Sequence, residues 1–432
     1  MESGMSPRLN PLERVRRRAA AAGQLIDLSA TSFAAAGLRW PEELYQRAWR
    51  LWRDDPGYTP SGRGSVRARG AVSAVYTREG LAVDPEDVVL TAGSSVSYHL
   101  VFSVLRRTTG ATAVALPLPG YPLFEGILNP LGMEPVWYHC PPENGFLPQP
   151  EEIETLLADP SRRLAALVLI SPNNPAGITY PDDLIAEIGG LCAAAGVQLI
   201  MDEVFSLFRP AGAPYVVHSP GGPPGLAGPA GPKPSGSRKV EQPNRNPEGT
   251  APLIHLNGLS KLCAAPEIKL GWIVISGGSP EDRAELVDAL DTEHDTYLTL
   301  SGIGEVAAIA FLEGEAPPRR WYELRLAVEA ARDAMVTALS RLPGIEPAPV
   351  DSGIHVPFRL DPLVAAERAG SVDDETIAVR MVEQVGLLVH PGYFYGLDYP
   401  AFADGPWFVA SSLISRDTLE RGIEGLRVFL CD

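Results

Sequence analysis

Cysteine is sparse in this chain, with four among 432 residues. Cys140, Cys192, Cys263 and Cys431 lie far apart and form no CxxC pair. That excludes a disulfide scaffold and reads as reduced thiols in a cytoplasmic protein. The seven histidines show no HExxH or similar spacing, so no metal site is expected. Positive charge is also in deficit: 36 Lys and Arg stand against 53 Asp and Glu, a formal net charge of -17. So acidic a chain is not expected to bind nucleic acid or an anionic membrane, both of which need a positive footprint. No segment is apolar for long enough to span a bilayer. Arg14, Arg16, Arg17 and Arg18 precede an alanine run, but the run stops at Gly23-Gln24. It is too short for a signal peptide and reads as an exposed arm or the start of a helix. No internal repeat is present.

What the chain does have is a set of short apolar runs: Val88 to Leu90, Ala113 to Leu116, Leu167 to Ile170, Val197 to Met201, Leu253 to Leu256 and Trp272 to Ile275. They lack polar alternation, as strands buried on both faces do, and are expected to be parallel. Helical patterns lie between most of them, which predicts an alternating α/β fold. From about Trp321 the pattern changes. Leu324, Val328, Ala331, Met335, Leu339 and Leu342 recur at spacings of three and four, one face of a long helix ended by Pro343-Gly344. The expected organisation is an N-terminal arm and small-domain segment (1–55), a large domain (56–315) and a C-terminal small α+β domain (316–432). A Pro/Gly-rich stretch at about 210–249 lacks a Gly-X-Y period and reads as a solvated insertion, with a lid as the alternative.

Five segments carry chemistry. Lys261, in Asn257-Gly258-Leu259-Ser260-Lys261, directly follows an apolar strand, where α/β sheets bind ligands. Asp202 ends another buried strand, a costly place for a carboxylate without a partner; a protonated pyridine nitrogen would be one, and an N-cap or salt bridge another. Ser171-Pro172-Asn173-Asn174-Pro175 makes a rigid turn after a third strand. Thr91-Ala92-Gly93-Ser94-Ser95 leads from a strand into a helical pattern, which can form a phosphate cradle, although an ordinary helix cap would look alike. Lys269, eight residues beyond Lys261, would neutralise an anion and lower the proton affinity of a reactive amine nearby.

In this order, with the aromatic loop Pro119-Gly120-Tyr121-Pro122 between the first and third, the chain resembles the class I/II aminotransferases, from about Leu25 to its end. They are fold type I enzymes dependent on pyridoxal 5′-phosphate (PLP). The DEVF and GLSK…KLGW motifs resemble one branch of them. The resemblance implies a large domain with a mostly parallel seven-stranded sheet between helices, plus a smaller α+β domain. It implies a transaminase working through a Lys261 Schiff base and a quinonoid intermediate on an amino acid or related amine, with specialised metabolism as one setting. Lys261 would shuttle the Cα proton, Asp202 would pair with the pyridine nitrogen, and Asn174 with the ring hydroxyl. Tyr121 would stack on the ring, and Gly93, Ser94, Ser95, Ser260 and Lys269 would lie around the cofactor and its phosphate. Tyr58, in Gly57-Tyr58-Thr59-Pro60, is similar to a tyrosine that reaches the phosphate of a neighbouring subunit, which implies a homodimer with shared active sites.

The chain also departs from the family pattern. Phe205 stands where a tyrosine is common, and Gly258 where a serine is common. At the position of the arginine that clamps a substrate carboxylate stands Val409, and the N-terminal loop Thr31 to Leu38 supplies no arginine, with Ala35 in its middle. Two alternatives to transamination therefore stay open. One is a PLP lyase, decarboxylase or cyclase on the same scaffold, for example β-elimination from a cysteine conjugate. The other is a non-catalytic PLP-binding protein.

Overall fold

The computed structural model describes residues 10–54, 60–210, 213, 251–297, 300–314 and 316–431. Tyr58 and nearly all of the Pro/Gly-rich stretch fall outside them.

Seven strands form the central sheet: β1 (Val88–Thr91), β2 (Ala113–Leu118), β3 (Glu134–His139), β4 (Leu164–Ile170), β5 (Gln198–Asp202), β6 (Leu253–Gly258) and β7 (Gly271–Ser276). Their order is β1-β7-β6-β5-β4-β2-β3. The apolar runs became strands because both sheet faces are covered. In β7, Trp272 and Val274 enter one core and Ile273 and Ile275 the opposite one, all fully buried. Successive side chains on a strand point to opposite faces, so two covered faces leave no polar position.

Two expectations need correction. The Trp272–Ile275 run is not parallel: β7 pairs antiparallel with both β1 and β6. Burial on both faces erases the pattern that would have distinguished the direction. The strand β3, paired parallel with β2 at the sheet edge, was not among the expected runs. Its residues are mostly half-buried, with Glu134 exposed, so no continuous apolar run marks it.

Helices connect the strands. One, α1 (Ser94–Thr109), leaves β1, and a single turn, α2 (Leu259–Leu262), leaves β6. The long helix α3 spans Ala316–Leu339, starting before Trp321 and ending ahead of Pro343. Its expected apolar face is largely present: Leu324, Val328, Met335 and Leu339 are buried, and Ala331 is half-buried. Beyond it, β8 (Ile345–Pro347), β9 (His355–Leu360), β10 (His390–Pro391) and β11 (Trp407–Ser411) form an antiparallel sheet in the order β10-β11-β9-β8. The N-terminal segment joins this part: Ile26 and Asp27 pair with Leu387 and Leu388. The arginine-rich stretch is a helix, Pro11–Ala21, capped by the Asn10 side chain. Among the described residues no helix is long and apolar enough to cross a membrane.

Candidate active site

A cavity of about 540 Å³ opens at the ends of β1, β4, β5 and β6. Its lining includes Gly93, Ser94, Ser95, Tyr121, Asn174, Asp202, Phe205, Ser260, Lys261 and Lys269. Ten residues singled out from five separate stretches of sequence thus share one cavity. The parallel strands bring them together because their carboxyl ends all lie on the same side of the sheet.

Asp202 is the last residue of β5 and is buried. Tyr98 donates its hydroxyl to Asp202 Oδ2 at 2.6 Å, and the Val204 backbone N–H donates to Oδ1 at 2.9 Å. Burial pushes the carboxyl up to about 6, and these two hydrogen bonds oppose that rise. The partner that Asp202 needed is thus, within the protein, a tyrosine. Tyr98 escaped the sequence reading, though a signal existed: it lies four residues after Ser94, one helical turn along the same face of α1.

Lys261 sits on α2, just past the end of β6. Its Nζ lies 5.7 Å from the centres of both the Phe33 and Phe205 rings. Burial first, and the charge of Lys269 second, push the amine down to about 8. About a tenth is therefore the free, nucleophilic amine at pH 7, far more than for an ordinary lysine, as the Lys269 spacing led one to expect. Lys269 itself is exposed and holds a left-handed backbone, with φ of 55°.

The start of α1 has an open backbone. Gly93 occupies the cap position with φ of 106°, and no side chain caps the helix. The first amides of a helix have no intrahelical acceptor and, with the dipole, attract an anion. Strand β7 passes directly beneath: a Cβ on Gly271 would stand 2.8 Å from the Gly93 carbonyl carbon and 3.0 Å from Ser94 N. Ser95 Oγ and the Tyr121 hydroxyl are 3.5 Å apart across the mouth.

The two asparagines of the Asn-Asn-Pro turn divide their work. Asn173 is used up by the fold: it donates to the Tyr180 hydroxyl at 3.0 Å and accepts from the Ala176 N–H at 3.1 Å. Asn174 faces the cavity, and its Oδ1 is buried without a hydrogen-bond partner.

The opposite wall comes from the C-terminal part of the chain. His355 of β9, His390 of β10 and Tyr395 line the cavity, with Ser29 and Thr31 from the N-terminal segment. Sequence reasoning reached Thr31 only as the start of the arginine-free loop and missed the other four, since no motif marks them and only tertiary packing brings them to Lys261. Val409 is buried in an apolar cluster with Trp407, and its register partners on the neighbouring strands are His390 and Pro357.

The family model for class I and II aminotransferases matches residues 56–424. This chain belongs to the class I and II aminotransferase family. It is a PLP-dependent aminotransferase, and members of this family use PLP. The aminotransferase is 27% identical to the valine–pyruvate aminotransferase of Mycobacterium tuberculosis, over 86% of this chain and 83% of the relative. It is 28% identical to the arginine–pyruvate transaminase of Pseudomonas aeruginosa, over 74% of this chain and 70% of that one. Among solved structures, an alanine aminotransferase from Pyrococcus furiosus superimposes with a TM-score of 0.79 at 22% identity, covering 97% of this chain and 95% of that one. The aspartate aminotransferase of Thermus thermophilus with maleate gives a TM-score of 0.76 at 21% identity, covering 99% and 100%. Both structures share the fold: the seven-stranded sheet with the smaller antiparallel sheet beside it. The expected fold class and enzyme class are thereby borne out.

Proposed function

We propose that the aminotransferase binds PLP in this cavity, with Lys261 as the residue that holds it covalently and moves the substrate proton. The observation that carries the reading is the convergence of the half-buried Lys261 amine and the buried Asp202 carboxylate in one cavity at the strand ends, where burial moves the amine down to about 8 and the carboxyl up to about 6. When bound, PLP supplies an electron sink for the substrate carbon that bears the amino group.

The residues present fit that group. Asp202 offers a negative charge, held in place by Tyr98, to a ring nitrogen, and that pairing offsets the cost of its burial. The Asn174 amide lacks a partner at Oδ1, and the amide can turn to present its NH₂ to a ring hydroxyl. Gly93, Ser94 and Ser95 present amides and hydroxyls to a phosphate, and Lys269 adds a positive charge. Tyr121 and Phe205 wall the cavity; Tyr121 would stack on the ring, and Phe205 lies beside the Lys261 amine. Ser260 lines the cavity next to Lys261. The Lys261 amine, when not engaged in holding the cofactor, would be the group that takes and returns the substrate proton. Two copies of the chain are expected to form a homodimer, with Tyr58 reaching the phosphate bound by the other.

The test is a half-reaction. PLP-loaded protein is mixed with single amino donors and no acceptor, and the cofactor is extracted and separated. The reading expects pyridoxamine phosphate to accumulate with at least one donor, and none with the Lys261→Ala variant. Accumulation at the wild-type rate in Lys261→Ala would refute it.

A further inference from the structure

The cavity wall facing Lys261 contains a polar group that neither the cofactor roles nor the fold uses. His355 is only 8% exposed and lines the cavity. Its neighbours are rings: Phe205 and Tyr395, each with its centre 6.2 Å away. Among the described residues its ring nitrogens have no hydrogen-bond partner. Neither nitrogen is sealed inside the protein, so they open into the cavity, where a bound molecule can reach them. Beside it, His390 Nδ1 and the Tyr395 hydroxyl share a hydrogen bond of 2.9 Å, which fixes those two side chains against each other.

We propose that His355 is a specificity-determining residue that hydrogen-bonds an uncharged polar group of the substrate, such as a hydroxyl, rather than a carboxylate. The inference rests on the PLP reading above for the direction from which the substrate faces this wall. Burial, then Lys261 and then His390 push His355 down to about 3, so its ring is neutral across the working pH range. A neutral imidazole offers one donor and one acceptor. A hydroxyl can use either. A carboxylate can use only the donor, and a neutral ring brings no positive charge to offset its own. No arginine lines the cavity among the described residues, and the PLP reading commits Lys261 and Lys269 to the cofactor. A carboxylate here would therefore be desolvated without a charge-assisted bond, the interaction that makes carboxylate recognition strong.

The test uses matched probes: alaninol against alanine, and leucinol against leucine. Dissociation constants are measured by calorimetric titration for the wild type, His355→Leu and His355→Gln. Retention of cofactor absorbance through gel filtration is checked first. In wild type the amino alcohol should bind at least tenfold more tightly than its amino acid in each pair. His355→Leu should weaken the alcohol about tenfold and leave the acid within threefold. His355→Gln, which keeps a donor and an acceptor, should restore the alcohol to within threefold. Tighter binding of the acids in wild type, or equal weakening of both partners in His355→Leu, overturns the proposal. A protein that retains no PLP sinks the cofactor reading separately. The same titrations are then run on that protein, and His355 is judged by the same two results.

Discussion

Replacing Tyr98 with phenylalanine removes one oxygen atom from a buried site, and its effect can be worked out in advance. The Asp202 carboxyl stands at about 6 against an ordinary value of 3.8. Over that interval the native state binds more protons than the unfolded chain. The cost therefore grows as pH rises from 3.8 to about 6 and is complete above it. That gap corresponds to about 3 kcal/mol. The Tyr98 hydrogen bond, 2.6 Å long and fully buried, is what keeps the cost from being larger. A bond to a charged acceptor contributes about 1.5–3 kcal/mol. Tyr98→Phe should therefore raise the carboxyl by a further one to two pH units, to roughly 7–8. The aromatic packing against Phe102 and Phe124, with ring centres 5.5 and 5.1 Å away, should survive. The assay is a carbon-13 NMR titration of aspartate-labelled, cofactor-free protein, with the Asp202 signal assigned by its loss in Asp202→Asn. The wild-type midpoint should fall near 6 and the variant midpoint well above it. Coincident midpoints would refute the claim that Tyr98 sets the charge of Asp202.

Three further outcomes are expected. The rate at which cofactor-free protein captures PLP should rise with pH through about 8 and level off above it, because only the unprotonated Lys261 amine attacks; stopped-flow absorbance reads this. Lys269→Gln removes the second cause of the low Lys261 value and should move that midpoint upward, although burial, the larger cause, keeps it below 10.5. Gly271→Ala places a methyl 2.8–3.0 Å from three backbone atoms of Gly93 and Ser94, which cannot yield as a flexible side chain would. PLP affinity, measured by fluorescence quenching, should fall at least tenfold, since the displaced loop is the one proposed to hold the phosphate.

The legible part of this molecule is the part in which one physical demand dominates. Burial on both faces wrote β2, β4, β5 and β6 into the sequence as apolar runs. Charged or polar residues at their ends, Asp202 and Lys261 above all, stood out because nothing in a buried strand explains them. The direction of β7 was not legible, since a strand covered on both faces looks the same in either orientation. The edge strand β3 was not legible because an edge needs no continuous apolar run. The His355, His390 and Tyr395 wall was hidden for a different reason: these residues are separated from Lys261 by 94 to 134 positions, and only tertiary packing brings them into the cavity.

The central claim is that Lys261 is the residue that bonds to PLP, and borohydride trapping tests it most directly. The PLP-loaded protein is reduced, digested and mapped by mass spectrometry. The account predicts a single pyridoxyl adduct, on Lys261. An adduct on Lys269, or the absence of any adduct from a protein that retains PLP, would contradict it.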